Sequence, residues 1–177
     1  MKKNIVFFAL VISFFAISSC SNYVYFTEEI RNDLNKNKLD IEKVQYYNSD
    51  KIILRRHLTK DELELTKGTI RFENGQYFEE IIIPSKTKGI AINNSNDMLN
   101  IAFETGENRD LLFSLNDDDK YQISADNWKD DYGCVYYDTA SYYIIPGSSN
   151  TVLLVSKEDI SNYERKRRIL KGRTVGR

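Results

Sequence analysis

From Val44 onward the apolar residues of this chain recur every second position, in short runs rich in Tyr, Ile, Val and Phe separated by clusters of Asn, Asp, Ser and Gly. The runs fall at 44–47, 52–56, 69–73, 76–83, 89–93, 98–104, 111–115, 121–125, 133–145 and 151–156. Successive side chains of an extended strand point to opposite faces, so runs of this length bounded by turn formers predict strands. Ten short strands with brief connections predict a mainly β fold, a single antiparallel β-sandwich or barrel-like domain. Asn74-Gly75 is the sharpest turn signal, because both residues tolerate the positive φ of a two-residue hairpin turn. That turn sets Phe72 opposite Tyr77, and the same register sets Ile70 opposite Glu79, an apolar residue against an acid. Residues 93–97 and 116–120 read as longer loops. In the run 133–145, Val135, Tyr137, Tyr143 and Ile145 share one parity while Tyr136, Tyr142 and Ile144 share the other, which predicts a central strand packed on both faces.

Helical spacing is confined to the two ends of this β region. Phe26, Ile30 and Leu34 lie four residues apart, with Glu28 and Glu29 early and Lys36 and Lys38 late, the order a helix dipole favours. A short helix from Thr27 to Lys36 follows, with Thr27 as its cap. Position 30 is Ile30, so the reciprocal glutamate of a capping box is missing. Residues 162–177 hold Arg165, Lys166, Arg167, Arg168, Lys171, Arg173 and Arg177 against one acid, Glu164. A final strand near 167–170 with a frayed tail is the first expectation there, although Ile160, Tyr163, Arg167 and Leu170 also fit a weakly amphipathic helix.

The first twenty residues are of another kind. Lys2 and Lys3 precede an apolar core from Ile5 to Ile17, interrupted by Ser13 and shorter than the roughly twenty residues that span a bilayer. This is the pattern of a secretory signal. It ends in Ile17-Ser18-Ser19-Cys20, which resembles the lipobox of bacterial lipoproteins, where an aliphatic residue and two small ones precede an essential cysteine. The resemblance implies cleavage before Cys20, a thioether-linked diacylglyceryl group on its sulfur and usually a third acyl chain on the new amino terminus. Two or three chains anchor stably where one would be marginal. The chain then divides into a signal at 1–19, a lipidated tether at 20–26 and one β-rich domain at 27–177. Ser21 follows the cysteine in place of the aspartate that favours inner-membrane retention, and no acidic tract follows it, so the resemblance implies the outer membrane with the domain facing the periplasm. An ordinary signal with a coincidental cysteine is the plainer alternative.

Charge and residue types narrow the function classes. Removing Lys2 and Lys3 from 25 basic residues, against 26 acidic ones, leaves the mature chain at a net −3, which argues against a general nucleic-acid binder. With one histidine, His57, and with Cys20 consumed by lipid, zinc ligation lacks donors. No metal or cofactor is expected beyond the covalent lipid. Cys134 reads as a small buried apolar residue. Asp117-Asp118-Asp119 lacks the glycine and the spacing of a calcium loop, and the acids around Trp128 share that weakness. No Gly-x-Ser-x-Gly is present, Gly147-Ser148-Ser149 follows Pro146 as a turn, and His57 is more simply a surface residue than part of a serine triad. No catalytic residue stands out.

Two groups remain as partner contacts. The basic strip, Arg165, Lys166, Arg167, Arg168, Lys171 and Arg173, would attract anionic lipid, cell-wall polymer or an acidic protein surface, and a solvated tail is the bland alternative. Tyr136, Tyr137, Tyr142 and Tyr143 combine apolar rings with polar tips suited to a contact, and would equally serve as β-core. The expectation is a lipid-anchored, non-enzymatic structural or docking component of an envelope complex. In plan it looks like the small lipoproteins of secretion machines such as the type VI system, an analogy of architecture alone. A glycan- or lipid-binding module is the alternative, and a hydrolase ranks below it.

Overall fold

The same alternation that marks the strands also decides which face each one buries. A computed structural model of the chain describes residues 21–64, 69–95 and 97–165, and in it these runs build two antiparallel sheets. The first has the spatial order β1 (Tyr23–Tyr25), β13 (Leu153–Ser156), β2 (Gln45–Asn48), β6 (Lys88–Ser95), β7 (Met98–Ala102), β8 (Asp110–Leu115), β9 (Tyr121–Ile123). The second runs β10 (Asn127–Lys129), β11 (Tyr132–Tyr137), β12 (Ala140–Ile144), β3 (Ile52–Leu58), β5 (Gln76–Ile83), β4 (Thr69–Glu73). Leu99, Ile101, Leu111, Phe113 and Tyr121 of the first sheet join Ile52, Leu54, Val135, Tyr137, Tyr142 and Ile144 of the second in one buried core. Each such side chain stabilises the fold by roughly 1.5–3 kcal/mol through removal from water.

The first sheet curls until its two edges meet. Isolated bridges join Thr27 to Lys120 and Gln122 to Val152, and Ile123 N–H donates to Thr151 O at 2.8 Å. These contacts do not amount to a continuous ladder, so the arrangement is a sandwich and not a closed barrel.

Helix α1 (Glu28–Lys36) covers one end of this curl. Thr27 caps it, its Oγ1 accepting from Ile30 N–H at 3.3 Å, and the acids and the base lie at the ends the dipole favours. Arg31, on the buried side of α1, donates to Tyr121 Oη at 2.6 Å and to the carbonyl of Ser95. Phe26, just before the helix, packs edge-on against Tyr46 with ring centroids 5.1 Å apart. A second helix, α2 (Lys157–Arg165), follows β13, and Tyr163 Oη donates to Lys43 O at 3.0 Å. Ile160 and Tyr163 therefore take the helical alternative, while the strand expected near 167–170 lies outside the described residues.

Several boundaries differ from the sequence reading. The run 133–145 is two strands, not one: Tyr137 pairs with Ala140 around a tight turn whose Asp138 has φ 55°. The turn resets the parity, so Val135 and Tyr137 face inward on β11 while Tyr142 and Ile144 face inward on β12. The acidic stretch around Trp128 contains β10, joined to β11 by Asp130 and Asp131, which both take positive φ. Strand β6 continues through Asn93 and Asn94 to Ser95, because pairing with β7 outweighs their weak strand preference. Residues 23–25, expected in the tether, pair with β13 as β1. At Asn74-Gly75, with φ 51° and 79°, the expected turn forms, and the register runs through Phe72–Tyr77 to Ile70–Glu79.

Candidate functional site

Strands β3 and β5 carry two adjacent charged doublets, Arg55-Arg56 and Glu79-Glu80, and their register sets Arg55 opposite Glu80 and Arg56 opposite Glu79. Because neighbours on a strand point to opposite faces, the two pairs form on opposite faces of the sheet. On the core side, Arg56 Nε donates to Glu79 Oε2 at 2.6 Å, and Tyr142 Oη donates to the same oxygen at 2.9 Å. Arg56 Nη1 also reaches Glu62 Oε1 at 3.0 Å. Burial, reinforced by the bond to Glu79, pushes the Tyr142 phenol up to about 12. Burial works to lower the Arg56 guanidinium, but its bonds to Glu79 and Tyr142 more than offset that and leave it above its ordinary value. Glu62 is held below the usual carboxylate range by the Thr59 N–H and hydroxyl and by Arg56. This is a structural network that makes a buried carboxylate tolerable.

The opposite, solvent-facing side of the six-stranded sheet is different. There Arg55 Nε donates to Glu80 Oε1 at 2.8 Å, Arg55 Nη1 reaches Glu73 Oε2 at 3.3 Å, and Arg71 lies 3.6 Å from Glu80. Phe78 is flanked by the His57 ring, with centroids 4.4 Å apart, and by the Arg55 guanidinium at 5.2 Å. Tyr143, opposite both Arg55 and Cys134 in register, is 47 % exposed, and Tyr132 and Tyr136 on β11 are comparably open. Together Tyr132, Tyr143, Phe78, His57, Arg55 and Lys129 border an open groove of about 530 Å³. Flat rings with polar tips beside guanidinium and ammonium groups suit contacts to polar and acidic surfaces, through hydrogen bonds and cation–π attraction.

The tyrosines singled out from sequence divide between the two faces. Tyr136 and Tyr143 lie on the open side, whereas Tyr137 and Tyr142 are 1 % and 4 % exposed and belong to the core. Neighbours in a strand point to opposite faces, and the hairpin turn at Asp138 resets the parity, so Tyr137 of β11 and Tyr142 of β12 share the core face while Tyr136 and Tyr143 share the open one. Tyr137 Oη donates to Glu104 Oε1 at 2.9 Å, and burial followed by that bond raises its pKa. Of the basic strip, Arg165 ends α2, while Lys166, Arg167, Arg168, Lys171 and Arg173 lie outside the described residues, as do Ile17, Ser18, Ser19 and Cys20. Sequence reading missed Arg55, Phe78 and Lys129 as members of one surface. The signal available was the Arg55-Arg56 doublet inside an apolar run, which called for an acidic doublet on the neighbouring strand.

Other candidates find structural employment. Ser148 Oγ is buried, accepting from Ile53 N–H at 2.9 Å and donating to Lys51 O at 3.2 Å. Asn116 Oδ1 accepts from the Asp118 and Lys120 N–H groups, both at 3.0 Å, which holds the acidic loop as a hairpin turn. Cys134 is half-buried on the open face, in place of the fully buried position expected for it. Among the described residues no group of three or more His, Cys, Asp or Glu side chains is arranged to hold a metal, and no helix is long and apolar enough to cross a membrane. Compared with known proteins, the chain matches no family model, no curated protein and no solved structure.

Proposed function

We infer that this protein is a lipid-anchored, non-enzymatic docking component of a bacterial cell envelope, tethered at Cys20 to the outer membrane and facing the periplasm. Its contact surface is the open face of the six-stranded sheet. The observation that carries this reading is the cluster of Tyr132, Tyr136 and Tyr143 beside Arg55 and Lys129, large side chains left in solvent on the face opposite the one where Ile52, Leu54, Val135, Tyr142 and Ile144 enter the core. Tyrosine and arginine are the residue types that anchor protein interfaces most often, because they bring large contact area with few rotatable bonds or a planar set of donors. The basic strip that begins at Arg165 adds long-range attraction toward acidic partners.

Photo-crosslinking side chains installed singly at Tyr136 and Tyr143 in the full-length chain, in intact cells, test this. Adducts of the same mass from both positions, absent with the probe at the exposed Tyr25 of the other sheet, are the expected result. No adduct at either position, or the same adducts at all three, overturns it.

The groove of about 530 Å³ favours one second reading, a site for an oligosaccharide or lipid headgroup stacked on Tyr132 and Tyr143. On that reading, millimolar cell-wall oligosaccharide or anionic headgroup raises the melting temperature of the intact protein and not that of a Tyr132→Ala, Tyr143→Ala variant.

A further inference from the structure

We propose that strand β4 pairs edge to edge with β4 of a second copy of this chain, with Phe72 opposite its own counterpart, so that two six-stranded sheets become one. This does not depend on the docking role of the tyrosine face. Strand β4 is an outer strand of its sheet, and all five of its residues, Thr69 to Glu73, are exposed. Sheet edges elsewhere among the described residues are short or answered: β10 has three residues, and the edges of the other sheet meet through isolated bridges. A two-residue turn makes Glu73 and Gln76 the hydrogen-bonded closing pair, so the bonds to β5 alternate from there along Glu73, Arg71 and Thr69. The N–H and C=O groups of Ile70 and Phe72 therefore point away from β5, toward the open edge. Phe72 is the most exposed large apolar side chain among the described residues, at 63 %, and Ile70 is 44 % exposed. An apolar open edge of this kind templates further strand pairing.

The sequence of the strand selects the partner. Arg71 and Glu73 flank Phe72 on the solvent-facing side of the sheet. An antiparallel second copy centred on Phe72 sets Arg71 opposite the partner's Glu73 and Glu73 opposite the partner's Arg71, both as close, non-hydrogen-bonded pairs. Within one chain Arg71 already faces Glu80 and Glu73 already faces Arg55, so the junction extends a row of alternating charge across both sheets. On the other face Phe72 lies 4.8 Å from the Tyr77 ring, and pairing brings two such aromatic pairs together. The alternative symmetric register, centred on Arg71, sets the two arginines opposite each other and is disfavoured.

The register makes the test specific. In full-length protein carrying Cys134→Ser, the Phe72→Cys variant is expected to form a disulfide-linked dimer on mild oxidation, roughly tenfold above the parent, because facing Cα atoms of a hydrogen-bonded pair lie within bridging distance. Arg71→Cys alone is expected to stay at the parental level, whereas Arg71→Cys mixed with Glu73→Cys is expected to yield the mixed dimer. All three positions are exposed, so folding is not at stake. Sedimentation of the unmodified chain in detergent provides the second measurement, with a dimer expected that becomes a monomer in Phe72→Lys. A monomer in the unmodified chain, no bridging through Phe72→Cys, or equal bridging through Arg71→Cys alone would overturn the proposal.

Discussion

Glu79 lies buried between Arg56 and Tyr142, and its carboxylate accepts from both. Removing the cation while leaving the carboxylate makes the desolvation of Glu79 costly. Arg56→Ala is therefore expected to lower the unfolding free energy by on the order of 3 kcal/mol, less than for a fully enclosed pair because Arg56 keeps some solvent contact. Urea unfolding measures it, and a loss below about 1 kcal/mol would mean the pair is mostly screened. Tyr142 supplies a pH signature. Its folded value is raised from 10.0 to about 12, so its contribution to stability is whole below pH 10 and disappears as pH climbs through about 12. Buried Tyr46, Tyr121 and Tyr137 shift the same way, and Tyr142→Phe should remove only its own part of the alkaline decline, read as a shallower fall of the urea midpoint between about pH 10 and pH 12. Gly133 is a position of close approach: a Cβ there would stand 2.7 Å from the Ala125 Cβ and 2.9 Å from the Trp128 ring. Gly133→Ala is expected to cost about 1–3 kcal/mol by overpacking, and the single tryptophan reports the displacement as a shifted emission maximum.

Elements were legible where local chemistry and tertiary pairing agree. Strands β4 and β5 match their predicted bounds because Asn74-Gly75 fixes the turn between them and Pro84 follows directly on the last residue of β5. The hairpin of β11 and β12 was hidden because Asp138 takes its positive φ without a glycine beside it, so an unbroken row of aromatics read as one strand. That misreading carried into the site, since the side on which each tyrosine emerges depends on the turn. The ion pairs of β3 and β5 were hidden for another reason: a register between strands over twenty residues apart is set by the whole sheet and not by either segment. Helix α1 is the opposite case, with apolar spacing, end charges and cap all visible. Thr27→Ala is expected to cost about 1 kcal/mol through the lost Ile30 N–H acceptor, checked by thermal unfolding, with the neighbouring bridge to Lys120 retained because it is made by backbone.

For the molecule as a whole, the two sheets divide the labour. The curled seven-stranded sheet, closed by its edge bridges and by α1, contributes most of the enclosed aromatic core, while the six-stranded sheet offers an open face and an open edge. The anchor is tested at this scale. Cys20→Ser in the full-length chain is expected to lose acyl labelling and to leave the membrane fraction, and a variant that stays membrane-bound would remove the lipobox reading.

The place of β1 sets the reach of the protein. Pairing with β13 begins at Tyr23, so only Ser21 and Asn22 separate Cys20, the proposed anchor, from the folded body. Even fully stretched, a leash that short spans about 10 Å. Anchored at Cys20 as proposed, a domain on such a leash could not search the periplasm. The proposed anchor would confine it to a layer against the lipid surface, where two copies would diffuse in a plane with their orientations restricted and meet at a far higher local concentration than free chains, and a partner would have to come to the membrane to find it.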